Sequence, residues 1–185
     1  MKRDRFKPRL TVIYEGKSER YFFDKLESIF DIKYDLSKVE AHGDNRIPFM
    51  YRKEKRKNFN DVKVMYDLDG TTSISDIIKT FKVAGVSIKK EDIYFINPDI
   101  ELLFILCKIK KAKLINNKTK KVIEDIYDFS SYDKNDKQIK KIIDSISKEE
   151  LIMMFELVNK YLSKDDKSLR STNYDVLLKD IFDIG

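Results

Sequence analysis

The sequence predicts an α/β fold: a parallel sheet of about four strands flanked by helices, with a C-terminal helical extension. Three observations predict it. Short apolar runs alternate with helical spacing of apolar residues through about the first 110 residues. Each apolar run closes on Gly, Asn or Asp, the residues that favour turns. From Lys118 onward the apolar spacing is helical and no convincing strand is visible.

The elements follow in order. Leu10 to Tyr14 is apolar without alternation, as expected of a strand buried on both faces. Ser18 can cap a helix whose apolar side is Phe22, Leu26, Ile29 and Phe30. Val39 to His42 reads as a short second strand, ended by Gly43-Asp44-Asn45, and a basic helix is expected over Ile47 to Asn58. Val62 to Tyr66 is the third strand. Ser73 or Ser75 then caps a helix carrying Ile77, Ile78, Phe81 and Ala84, and Gly85 stops it. Ile93 to Ile96 is the fourth strand, closed by Asn97-Pro98, and Glu101 lies in the first turn of a helix over Ile100 to Ile109. Strand and helix in alternation argue for a parallel sheet covered by helices. Beyond it, Lys137 to Ile146, Lys148 to Leu162 and Asn173 to Ile184 carry helical spacing, with Ser147 and Glu150 forming a capping box. Tyr127 to Asp136 is polar and reads as a loop. The expected division is an α/β domain over residues 1–112 and a helical extension over 113–185 packed on it.

Composition narrows the class. The chain has 185 residues, 42% hydrophobic and 12% aromatic, which is enough for a core and argues against disorder. Charged residues make up 38% and the net charge is +6, a surplus that favours an anionic partner such as nucleic acid. No segment approaches the roughly 18 apolar residues of a membrane span, so no membrane partner is expected. The single cysteine, Cys107, lies in an apolar run and reads as a small buried hydrophobe. One cysteine closes no intramolecular disulfide, and a cytoplasmic location is the expectation.

The chemistry concentrates where strands end. Glu15 follows the first strand, Asp67 and Asp69 follow the third, and Glu101 follows the fourth. In open parallel sheets, ligands gather beyond the carboxyl ends of the strands. Carboxylates crowded there repel one another, and a divalent cation is the usual compensation. Asp67 and Asp69 can reach one ion from an irregular turn, with Glu15 facing them from a neighbouring strand. Glu19, one helical turn past Glu15, can point back to the same edge and with Glu101 hold a second ion. The competing readings are ordinary ones: Asp and Gly favour turns, and Glu19 and Glu101 are favourable first-turn charges at helix N-termini. His42, the only histidine, reads as a strand-end residue rather than a base.

Gly16-Lys17-Ser18 has the tail of a phosphate-binding loop, but Thr11 stands where that motif needs glycine, and ATP binding by this route is rejected. Asp67-Leu68-Asp69-Gly70-Thr71-Thr72 resembles the first motif of haloacid-dehalogenase-type phosphatases, in which the first Asp is the nucleophile. That family places the motif in its first strand, whereas two strands precede it here. The phosphatase remains the enzymatic alternative.

Glu15-Gly16 after one strand and Asp67-x-Asp69 after another resemble the two signatures of the Toprim fold, a Rossmann-like α/β domain. Glu15-Gly16-x-Ser18-Glu19 and Asn97-Pro98-Asp99-Ile100-Glu101 are similar to elements of the overcoming-lysogenization-defect (OLD) nucleases and RloB-type abortive-infection proteins, as is the Gly43-Asp44-Asn45 turn. The resemblance implies a Mg²⁺- or Mn²⁺-dependent nuclease with two ions, catalytic Glu15, Asp67, Asp69 and Lys17, and metal ligands Glu15, Glu19, Asp67, Asp69 and Glu101. It implies a phage-defence or toxic-effector role. Many OLD proteins carry an ATPase in the same chain; none is visible here, so a separate ATPase partner or a homo-oligomer is the corresponding expectation. DNA and RNA substrates, transfer RNA included, stay open. A Toprim relic that binds nucleic acid or a protein without cleaving is the non-enzymatic alternative.

Two basic runs suit a phosphate backbone: Arg52, Lys53, Lys55, Arg56 and Lys57, and Lys110, Lys111 and Lys113 within an acid-free stretch from Lys108 to Lys121. Solvated helix faces are the ordinary explanation for such runs.

Overall fold

The computed structural model describes residues 7–57, 61–69, 72–108, 119–168 and 170–184. Its centre is a five-stranded sheet in the order β2-β1-β3-β4-β5. The strands are β1 (Arg9–Tyr14), β2 (Asp35–Glu40), β3 (Asp61–Asp67), β4 (Ile93–Asn97) and β5 (Ser171–Thr172). The first four are mutually parallel, and β5 is antiparallel to β4. After β1 the chain pairs first on one side, as β2, then crosses to the other, as β3. The reversal point of this open sheet therefore lies between β1 and β3, where such folds form their crevice.

Side chains alternate across the sheet. Leu10, Val12, Tyr14, Met65 and Ile96 face one core, and Ile13, Val62, Val64, Tyr66 and Phe95 face the other. The second core is covered by α2 (Ile47–Lys55) and α3 (Ile74–Val83). The first is covered by α1 (Lys17–Ile29), α4 (Glu101–Lys108), α5 (Thr119–Tyr127), α6 (Asp136–Asp144), α7 (Lys148–Tyr161) and α8 (Tyr174–Ile181). The helices after residue 118 share one core with the sheet. α4 lies within it, with every residue from Glu101 to Cys107 buried. Burial pushes the Cys107 thiol up, as suits a packing residue.

Local signals set the helix ends. The Ser147–Glu150 capping box is formed at α7, with the Glu150 amide 3.2 Å from Ser147 Oγ and the Ser147 amide 2.9 Å from Glu150 Oε2. Ser73, not Ser75, caps α3, again in a reciprocal box with Asp76. The structure corrects the sequence reading in three places. β2 begins at Asp35, four residues before the expected Val39, because this edge strand is only half-buried and leaves a weak pattern. α5 falls in a lysine-rich stretch with no helix expected. The C-terminal part is not wholly helical: β5 adds two residues to the sheet, too few for any periodic signal. The end of the expected Ile47–Asn58 helix, Gly70-Thr71, and Lys110, Lys111 and Lys113 lie outside the described residues.

Candidate functional site

Acidic side chains follow all four parallel strands at their carboxyl ends. Glu15 leaves β1, and Glu19 sits one turn into α1. Asp44 follows β2, Asp67 ends β3 with Asp69 in the turn beyond, and Asp99 and Glu101 link β4 to α4. Backbone hydrogen bonds fasten these ends together. The Glu15 carbonyl accepts from the amides of His42 (2.9 Å) and Gly43 (3.4 Å), pinning the β2 turn to β1. Gly43 has φ +118, a conformation that favours glycine, and so lets the chain fold back there. The Asp69 amide donates to the Pro98 carbonyl at 3.0 Å, pinning the β3 turn to the end of β4. Asp69 itself is left-handed, at φ 47, a region that Asp visits more readily than most residues. The result is a cleft of about 380 Å³ lined by Glu15, Lys17, Glu19, His42, Asp67 and Lys134.

The carboxylates form two groups. Glu15, Asp44 and Asp69 make an open rim. Burial, then the charges of Glu15 and Asp69, push the Asp44 carboxyl up to about 7. Its Oδ1 is buried without a hydrogen-bond partner.

Glu19, Asp67, Asp99 and Glu101 make an enclosed floor. Glu19 is 3% exposed and Glu101 1%. Burial, then the neighbouring Glu101 and Glu15, raise Glu19 to about 8, although amides at the start of α1 oppose the shift. Asp67 is raised well above the usual carboxylate range by burial and by Glu19, Glu101 and Asp99. Its Oδ2 accepts from the Ile100 amide at the start of α4 (3.3 Å), and its Oδ1 from the buried Tyr174 hydroxyl (3.4 Å). Asp99 is raised to about 6, mainly by burial and then by Glu101, while Lys134 and the Thr119 hydroxyl at 2.8 Å draw it down. Asp99 Oδ1 has no partner. Glu101 Oε1 accepts from Tyr132 (2.9 Å) and Ser18 (3.4 Å), and its Oε2 faces the Lys134 ammonium at 3.0 Å.

Glu15, Glu19, Asp67, Asp69 and Glu101 all come to this edge of the sheet. Lys17 does not face them: its exposed ammonium pairs with Asp136 at 2.8 Å. His42 is exposed on the rim, with Nδ1 3.0 Å from Glu40. The run Arg52, Lys53, Lys55, Arg56, Lys57 lies elsewhere. α2 starts beside the site and runs back along the sheet for nine residues, about 13 Å. Lys55 ends 3.9 Å from Asp61 at the start of β3, so the run sits at the opposite edge.

Sequence reasoning missed Asp44 and Asp99 as site residues, although both lie inside segments singled out at strand ends. It also missed Tyr132, Lys134 and Tyr174, which arrive from a polar loop and a helix start with no local signal.

The donor set is made of hard oxygens, the ligands Mg²⁺ and Mn²⁺ prefer. The buried oxygens of Asp44, Asp99 and Glu101 that lack a hydrogen-bond partner, and carboxyls raised by one another's charge, fit a group that would receive a cation. As they lie, no three acidic, histidine or cysteine side chains among the described residues stand close enough to cage an ion. No helix among the described residues is long and apolar enough to cross a membrane. Compared with known proteins, the chain matches no family model, no curated protein and no solved structure.

Proposed function

We propose that this protein is a divalent-metal-dependent nuclease of Toprim type, hydrolysing phosphodiester bonds in DNA or RNA. The observation that carries the reading is the gathering of carboxylates from all four parallel strands at the reversal point of the sheet. Evolution rarely keeps so many raised carboxyls at one sheet edge without chemistry for them. Glu15, Asp67 and Asp69, joined by Asp44, would hold Mg²⁺ or Mn²⁺. Such an ion polarises phosphate oxygens and supplies a water nucleophile at neutral pH.

The chain's own residues do the rest. The Ile100 amide and Tyr174 hydroxyl fix the Asp67 carboxylate so that it meets a ligand without reorganising. Lys134 supplies a positive charge on the cleft wall, and Lys17 another at its mouth once released from Asp136. The open rim admits a polymer. The phosphatase alternative asks Asp67 to attack phosphorus, and both of its oxygens are instead engaged as a positioned ligand's are. A phage-defence or toxic-effector role, and a separate ATPase partner or self-association, rest on the resemblance to OLD and RloB-type proteins alone.

The test is incubation of purified protein with plasmid DNA and total RNA in Mg²⁺, Mn²⁺ or EDTA. Cleavage is expected with metal and none with EDTA. Asp67→Asn should lower the rate about a thousandfold, the kinetic equivalent of losing several kcal/mol of metal-borne stabilisation. Cleavage that survives EDTA, or a wild-type rate in Asp67→Asn, overturns the proposal. A phosphorylated Asp67 trapped from a phosphomonoester would establish the phosphatase.

A further inference from the structure

Lys134 stands out from the other lysines of this chain. It lies in the loop between α5 and α6, with its side chain 52% exposed. The ammonium is 3.0 Å from Glu101 Oε2 and 4.0 Å from Asp99 Oδ2, against carboxylates that are 1% and 14% exposed. Its backbone is left-handed, at φ 52, an uncommon conformation for lysine that persists where surrounding contacts impose it. Those contacts are present on both sides. The Tyr132 amide donates to Glu124 at 2.8 Å, and the Tyr132 hydroxyl reaches Glu101. The Asp133 amide donates to Gln138 Oε1 at 2.9 Å, and Asn135 caps α6 by accepting from the Gln138 amide at 3.0 Å. Lys134 is thus held between fastened neighbours, a fixed cation rather than a swinging arm.

Glu101 Oε1 accepts two hydroxyls, and Oε2, which makes no hydrogen bond, faces the ammonium in an ion pair at 3.0 Å. An ion ligated by Glu101 would have to displace Lys134, since two cations would otherwise share one buried oxygen at close range. Asp99 is in the same position on one side, with Oδ2 held by Thr119 and neighboured by the same ammonium. The rim carboxylates Glu15, Asp44 and Asp69 have no lysine or arginine paired with them among the described residues.

We propose that Lys134 is a built-in second cation: its ammonium stands where Glu101 and Asp99 would hold a second divalent ion, so the site takes one divalent ion, at the rim. The inference rests on the reading of the cleft as a metal site. It replaces the two-ion expectation with one ion plus one lysine, and makes Lys134 the group that neutralises the floor.

The test counts ions rather than turnover. Mn²⁺ is titrated into the metal-free protein, with heat of binding and the residual free-Mn²⁺ spin resonance signal as two independent readouts. Wild type should bind one Mn²⁺ per chain. Lys134→Met should bind two, Lys134→Arg should return to one, and Lys134→Met with Glu101→Gln should also return to one. Lys134→Gln serves in place of Lys134→Met if the latter does not fold, as judged by circular dichroism. Two ions in wild type, or one in each neutral Lys134 variant, overturn the lysine's role while leaving the metal reading intact. No binding in any variant overturns both.

Discussion

At the rim, Glu15 and Asp44 are half-buried and Asp69 is exposed, and Asp44 has a buried oxygen to spare. On the floor, Glu19, Asp67, Asp99 and Glu101 are enclosed and leaned on by hydroxyls, an amide and one lysine. The two groups lie at one edge of the sheet and use the same side-chain types. Their difference lies in what has already been supplied. The floor has hydroxyls, an amide and Lys134 set against it, whereas no lysine or arginine pairs with the rim among the described residues. Side chains of one type therefore divide into ligand candidates, the rim carboxylates with Asp67, and the remaining floor groups that support them.

The largest expected effect breaks the comparison from the rim. Glu15→Gln should cut metal-dependent cleavage about a thousandfold and weaken Mn²⁺ binding, while circular dichroism stays unchanged. A floor substitution probes stability instead. Tyr132→Phe removes a buried donor from Glu101 and should cost about 1–3 kcal/mol in urea denaturation. Tyr66→Phe is its counterpart: the Tyr66 hydroxyl is buried without a partner, so its removal should be neutral or stabilising.

The pH dependence should separate the groups further. In the metal-free protein, Glu19, Asp44 and Asp99 titrate near 8, 7 and 6, above their unfolded values near 4. The native state thus holds more protons than the unfolded chain between these limits. The stability it gains is full below about pH 4 for these groups and is lost as pH rises towards 8. Melting in EDTA should accordingly fall from pH 5 to pH 8, and saturating Mn²⁺ should flatten the slope. Asp67→Asn should raise the metal-free melting temperature at pH 8. A melting temperature that rises over this range would contradict the electrostatic picture.

The smallest expected effect concerns the far edge. Replacing Arg52, Lys53 and Arg56 together by Ala should leave the salt dependence of binding to a short oligonucleotide unchanged. A duplex long enough to wrap from one sheet edge to the other should lose about 0.9 in slope for each phosphate contact removed.

Much of this was legible in the chain. β1, β3 and β4 are short apolar runs stopped by Gly, Asn or Asp, and those stops coincide with acidic residues that reach the site. Glu15, Asp67 and Asp69 could be picked out because they lie next to such stops. Lys134 and Tyr132 could not, because a loop residue reaching across the fold leaves no periodic trace. The Arg52–Lys57 run shows the converse. Composition marked it as basic, but only the direction of α2 reveals that it points away from the cleft. β5 was too brief to register, and its antiparallel pairing depends on contacts made more than seventy residues away in sequence.

The segment around β5 has a consequence in time. The Asp166 carboxylate accepts the Ile74 amide at 2.7 Å at the start of α3, Asn173 Oδ1 accepts from Phe95, and the Asn97 amide group donates to the Ser168 carbonyl. Tyr174, next in line, supplies a hydroxyl to Asp67. These groups leave the ribosome roughly a hundred residues after Asp67 does, and at about 5–20 residues per second that is a delay of several seconds. Through that interval the emerging chain has its acidic residues but not the side chains that fix Asp67. If the proposed nuclease acts on RNA, assembly in this order keeps it unfinished while its own messenger and transfer RNAs are closest to it.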